Sequence, residues 1–233
     1  HTIRRAEHFK TILTGEGFLV GLIAGLVVLL YRVLLEYAGR AMNVILGYAR
    51  ENPAAAGAWF VLLILMACIV GKLVKWEPMI SGSGIPQVEG EMTGKLEQVW
   101  WRVLPAKFLG GFLSLLAGLS LGREGPSIQI GAMTGKALSK ALDRGKTEEK
   151  YLLTCGASAG LAAAFHAPLA GVMFSLEEIH KNFSVSVLVS VMTASITADY
   201  VSSQFLGFHS VFQFDIGAEI QPRYYWHILI LGV

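Results

Sequence analysis

Apolar positions in this chain come in blocks too long for the stripe of an ordinary surface helix. Residues 16–47 form the first block, with Arg32 and Glu36 four residues apart near its far end, a spacing that reads as a local ion pair. About 20 apolar residues suffice to cross a bilayer as a helix, so this segment spans with room to tilt. Arg50-Glu51-Asn52-Pro53 marks a polar turn, and Ala54 to Leu73 is the cleanest spanning segment, closed by Lys72 and Lys75. Residues 103–121 and 184–206 predict further membrane helices, the latter carrying Asp199. Residues 150–166 are rich in glycine and alanine, and Gly110, Gly111 and Gly118 interrupt the 103–121 run. Both are patterns of helices packed closely in lipid. Arg223 to Val233 reads as a further apolar helix at its start.

Between these blocks lie segments with a different texture. Residues 76–99 are short, mixed and too polar to span, and contain Ser81-Gly82-Ser83-Gly84-Ile85-Pro86. A surface loop and a re-entrant segment both fit, because irregular backbone at membrane depth is tolerated where it lines a cavity. Gly122-Arg123-Glu124-Gly125-Pro126 repeats the plan, with glycines leading to a proline at what would be a helix's first position. A helix start exposes unpaired N–H groups and a partial positive charge. Two such starts aimed at one point inside a membrane make an anion site that needs no buried lysine. His166-Ala167-Pro168 breaks the chain once more, before a short segment at 168–179 that ends near Glu177 and Glu178.

Composition agrees with this pattern. The 233 residues are 54% hydrophobic and only 15% charged, against roughly 25% charged in soluble domains. A formal net charge of +2, without basic residues interleaved with aromatics, excludes a nucleic-acid surface. Cys68 and Cys155 sit in apolar runs and read as small buried residues with no metal or disulfide spacing. Residues 1–13 are basic and amphipathic and predict a short helix on the cytoplasmic surface. Basic residues before the first span and after the second place both ends inside. The cluster Lys136, Lys140, Arg144, Lys146 and Lys150 belongs on that same side.

The motifs GSGIP at 82–86, GREGP at 122–126 and GLAAAFHAPLAG at 160–171, followed by Glu177 and Glu178, resemble the CLC chloride channel and transporter family. The likeness covers nearly the whole chain but only the first of that family's two inverted halves. It implies an all-α polytopic membrane protein with tilted and broken helices and re-entrant segments. The expected organisation is a cytoplasmic amphipathic helix at 1–13, the first membrane repeat at 14–222 and the start of the second at 223–233. The anion site then involves Gly82, Ser83, Gly84, Arg123, Glu124 and Gly125, with Ser83 at the central position. Glu124 becomes the gating glutamate and Glu178 the inner proton-transfer acid. His166 stands where many relatives have asparagine, and is not read as a ligand. The resemblance further implies chloride and proton exchange without a cofactor, membrane lipid as surroundings, and a homodimer. A second CLC half would come from the same polypeptide or a partner chain, in the inner or plasma membrane.

Other readings stay open on the residues themselves. Passive chloride conduction, gated by voltage or pH, uses the same anion site. Glu124 is also readable as an interfacial acid paired with Arg123. A membrane metalloenzyme draws on the Glu177-x-x-His180 spacing of di-iron bundles, which occurs here only once. A membrane scaffold leaves the Glu124 turn without purpose.

Overall fold

The structure, a computed structural model, describes residues 2–181, 184–207 and 222–232. Among the described residues it is helical, with no strand. Helix α1 runs unbroken over Thr2–Glu51 and α2 over Pro53–Trp76. The boundary expected at residue 13 is therefore not a break. No proline interrupts the sequence there, and Gly15 and Gly17 cost a helix only about 1 kcal/mol each. Asn52 alone separates the two long helices, and Pro53 takes the first helical position, where its missing N–H costs nothing.

A 3₁₀ turn at Pro78–Ile80 leads into the short helix α3, Ile85–Met92. Helix α4 covers Trp100–Leu116, α5 covers Glu124–Ala141 and α6 covers Lys146–Phe165. Helix α7, Pro168–Phe174, continues into a π-helical turn at Ser175–His180; α8 is Val185–Leu206 and α9 is Tyr225–Leu231. Among the described residues, three helical stretches are long and apolar enough to cross a membrane: Thr11–Glu51, Pro53–Trp76 and Val185–Leu206.

Small residues set the packing. Gly17, Gly21 and Gly25 recur every four residues on α1, against Ser190, Ala194 and Ala198 on α8. A Cβ on Gly21 would fall 2.4 Å from the Ala194 carbonyl oxygen, so the two backbones are in contact. Helices α5 and α6 meet the same way: a Cβ on Gly131 or on Gly156 would lie 2.1 Å from the other's carbonyl oxygen. Helix α5 is buried along most of its length, making it the axis of the core.

By contrast α2 buries only Trp59 and Met66 and turns Phe60, Leu62, Leu65 and Ile69 outward, an apolar surface suited to hydrocarbon. Cys68 is on that exposed surface, contrary to the expectation of burial, whereas Cys155 is buried between helices. The glycines of α4 also divide. Gly111 receives the Tyr31 ring at close range, while Gly118, with φ of +88°, ends the helix in the left-handed region rather than packing it.

Candidate anion site

Both glycine-bounded turns reach one place. Gly125, in the first turn of α5, lies so close to Ser83 that a Cβ there would fall 2.3 Å from the Ser83 carbonyl oxygen. Ser81, Gly82, Ser83, Lys107, Gly122 and Glu124 line a shared cavity of about 550 Å³. Ser83 and Glu124 are exposed within it. Gly125 is in the wall, Gly84 lies buried behind it, and Arg123 is half-buried beside it as the residue preceding α5.

Local chemistry explains each turn. Gly82 and Gly84 have φ of +68° and +100°, which any residue with a Cβ resists. At Gly84 a Cβ would also meet the Gln129 side chain at 2.5 Å. Ser83 Oγ accepts from the Ile85 N–H at 3.3 Å, which leaves its own O–H to donate. The first α-helical bonds run from Val88 N–H to Gly84 O at 3.1 Å and from Ser127 N–H to Arg123 O at 3.2 Å. Of the amides ahead of them, Ile85 N–H is taken by Ser83 and the prolines have none, while the others lack a helical acceptor. The prolines sit slightly later than expected: Pro86 is the second residue of α3 and Pro126 the third of α5. Neither forfeits a bond, since N–H groups throughout the first turn lack an i−4 partner.

Glu124 folds its carboxylate back over Gly122, where a Cβ would stand 2.7 Å from Oε2. Among the described residues Glu124 makes no ion pair, with Arg123 or any other base. Glu178 is not part of this cavity. It is exposed on the π-helical turn, whose last residue precedes Lys181, and Lys181 pairs with Glu89 in the middle of α3. That contact lowers the Glu89 pKa.

Several buried polar residues at this site escaped sequence reasoning. Lys107 is only 5% exposed, and its Nζ donates to Ile80 O at 2.9 Å and Gly82 O at 2.8 Å. A buried lysine is thus present after all, but its donors hold the turn. Behind the turn, Gln129 donates to Met79 O at 2.8 Å and to Gln98 Oε1 at 2.6 Å. Gln98 in turn donates to Glu91, which pairs with Lys136. Polar Gln129 and Lys136 seven residues apart, both pointing into the core, were the available signal.

A second network joins α1, α6 and α8. Arg32 pairs with Glu36 at 3.8 Å as expected, yet its closer contact is 3.0 Å to His166 Nε2. Guanidinium only donates, so Nε2 accepts and Nδ1 carries the proton toward Asp199 Oδ1 at 3.1 Å. His166 thus ties three helices at the break between α6 and α7. The metalloenzyme alternative finds no support here. His180 Nδ1 is engaged with Thr154 Oγ1 at 3.1 Å, and among the described residues no three His, Cys, Asp or Glu cluster as metal ligands.

The chain resembles known proteins in sequence and in shape. The sequence profile of a family described as "Voltage gated chloride channel" matches residues 62–233. The H(+)/Cl(−) exchange transporters ClcA of Salmonella paratyphi B and Salmonella newport are each 39% identical over 178 residues, covering 75% of this chain and 38% of theirs. The chain therefore spans well under half the length of these curated relatives. A crystal structure of a slow cyanobacterial Cl−/H+ antiporter is similar with a TM-score of 0.81 and 32% identity, over 94% of this chain and 53% of that one. A CLC-type fluoride/proton antiporter shares the fold, with a TM-score of 0.72 at 22% identity, over 95% of this chain and 54% of that one.

Proposed function

The chain belongs to the voltage gated chloride channel family, and from that premise we propose that it supplies one half of a chloride/proton antiporter. The fold is that of a helical polytopic membrane protein. The observation that carries the functional reading is the convergence of Ser83 and Glu124, with the starts of α3 and α5, on one cavity.

In this reading chloride exchanges part of its hydration shell for the Ser83 hydroxyl and for amides around Gly82, Gly84, Arg123 and Gly125. Such donors bind without holding too tightly, as conduction requires. Ionised Glu124 imitates the anion and occupies the α5 start. Protonated, it loses that attraction and yields the position to chloride. A carboxylate in this setting costs about 2.5–3.5 kcal/mol by insertion scales, so its presence calls for a function. Glu178 delivers protons from outside this cavity. Chloride and protons are the substrates, and the reading invokes no cofactor.

A cytoplasmic surface segment at 1–13 continuous with α1, a membrane repeat at 14–222 and a second repeat beginning at 223–233 belong to the same proposal. So do a homodimer, a second half on the same or a partner polypeptide, and the inner or plasma membrane with a cytoplasmic N-terminus. The test is a flux assay on the full-length protein in liposomes. A chloride gradient drives protons uphill in the wild type, and Glu124→Ala stops proton movement while chloride still passes. Chloride flux that never moves protons replaces the antiporter with a passive channel.

A further inference from the structure

The basic cluster at 136–150 is not absorbed by the transport site, and its cations differ in one respect. Lys136 is paired with Glu91, Arg144 with Glu16, and Lys140 with Glu149 at 2.7 Å, a contact that raises the Lys140 pKa. Lys146 has looser contacts, 3.9 Å to Glu97 and 3.7 Å to Glu149. Among the described residues Lys150 has no carboxylate within ion-pair distance. Lys150 and Lys146 line a second cavity, of about 470 Å³, together with Thr147, Tyr151, Met92 and His180.

The walls of this cavity are set up to receive an oxyanion. Thr154 donates its hydroxyl to Lys150 O at 2.8 Å, so toward His180 Nδ1, at 3.1 Å, it accepts. That places the imidazole proton on Nδ1 and fixes the ring, which packs 5.5 Å from Tyr151. Burial, and then the nearby Lys150 charge, lower the His180 pKa, so the ring gains a charge only beside an anion. The start of α6 is already served, since Glu148 accepts from the Gly145 N–H at 3.2 Å. The unmet demand is for negative charge at Lys150, with the loosely held Lys146 and the Thr147 hydroxyl alongside. Helix α5, about 27 Å long, separates this place from Glu124.

We propose that this cavity binds a phosphomonoester, carried either by a small soluble molecule or by a lipid headgroup. Its volume suits a small phosphorylated group, being within the 300–1,000 Å³ common for ligand sites. Lysine ammonium groups bind phosphate as point charges, and hydroxyls complete its hydrogen bonds. The inference does not depend on the transport reading, because its readout is binding.

The full-length protein in nanodiscs tests it in two arms. Labelled inorganic phosphate is titrated by equilibrium dialysis, and phosphatidic acid included in the bilayer is counted on the protein by native mass spectrometry. Saturable binding in the first arm identifies a soluble phosphate as the source; saturation in the second alone identifies the headgroup. Lys150→Gln combined with His180→Gln weakens the saturable binding at least tenfold, and Lys150→Gln alone, at an exposed position, at least threefold. Lys75→Gln, the same loss of charge at the end of α2, changes it less than twofold. No saturation in either arm, or an equal loss with Lys75→Gln, overturns the proposal.

Discussion

Replacing Lys107 with methionine isolates what a buried cation does beside the proposed chloride position. The side chain keeps most of its length, but the donors to Ile80 O at 2.9 Å and Gly82 O at 2.8 Å disappear. Hydrogen bonds from charged donors are worth roughly 1.5–3 kcal/mol each, while burying an ammonium costs several kcal/mol. These effects oppose one another, so global stability changes by less than about 2 kcal/mol. The local consequence is larger. A carbonyl stripped of its donor costs about 1–3 kcal/mol where it is buried, and it escapes by turning toward the cavity and its water. Rotating the Gly82 peptide moves Ser83, the next residue, and points a carbonyl oxygen toward the anion. Restoring the binding geometry then costs about 1.4–2.8 kcal/mol, a 10- to 100-fold loss of chloride affinity. Titration calorimetry with chloride on the full-length protein reads this directly, and a thermal melt reports whether the fold survives. Lys107→Arg keeps the charge but brings a planar fork to carbonyls spaced for an ammonium, so its affinity falls between the two. Chloride affinity within twofold of wild type in a folded Lys107→Met protein refutes the reasoning.

Three further outcomes follow from the same geometry. Glu178→Gln removes proton coupling in the liposome assay while chloride continues to move; coupling that persists takes Glu178 out of the proton route. Gly131→Ala forces α5 from α6, since its Cβ would stand 2.1 Å from Gly156 O, and costs about 1–3 kcal/mol in reversible unfolding. Gly57→Ala, with nothing within 4 Å, serves as its neutral comparison. His166→Leu deprives Arg32 and Asp199 of a shared partner and lowers stability by about 1–3 kcal/mol, whereas Glu36→Gln, at the looser 3.8 Å contact, changes it by less than about 1 kcal/mol.

The helices and the two turns were legible because their signals are local. Apolar run length marks α1, α2 and α8, and the glycine-proline spacing marks the starts of α3 and α5. Whether those starts share a point was not legible, because it depends on how α3 and α5 pack through Gly125 and Ser83, 42 positions apart. The polar support was harder still. Gln129 reaches Met79 across 50 residues and Lys107 reaches Ile80 across 27, so no window of sequence displays either pair. His166 was legible as part of the break before Pro168, and with φ of 55° it closes α6. Its other role, linking Arg32 to Asp199, needs three helices at once.

The glycines and Lys107 answer the same mechanical demand. A site made from backbone amides has no side-chain rotamers with which to correct an error in position. Its geometry is set by where the helix axes lie, and those are set by how closely the backbones meet. Glycine at 131 against 156, and at 17, 21 and 25 against α8, fixes the axes to contact distance. Gly125 against Ser83 carries that precision into the site. A cation placed directly on the anion would strengthen binding and slow release. Lys107, committed to two carbonyls, stabilises the frame and leaves the anion to neutral donors. In the proposed mechanism Glu124 then competes with chloride on nearly equal terms, the condition under which one proton decides which of them occupies the helix start.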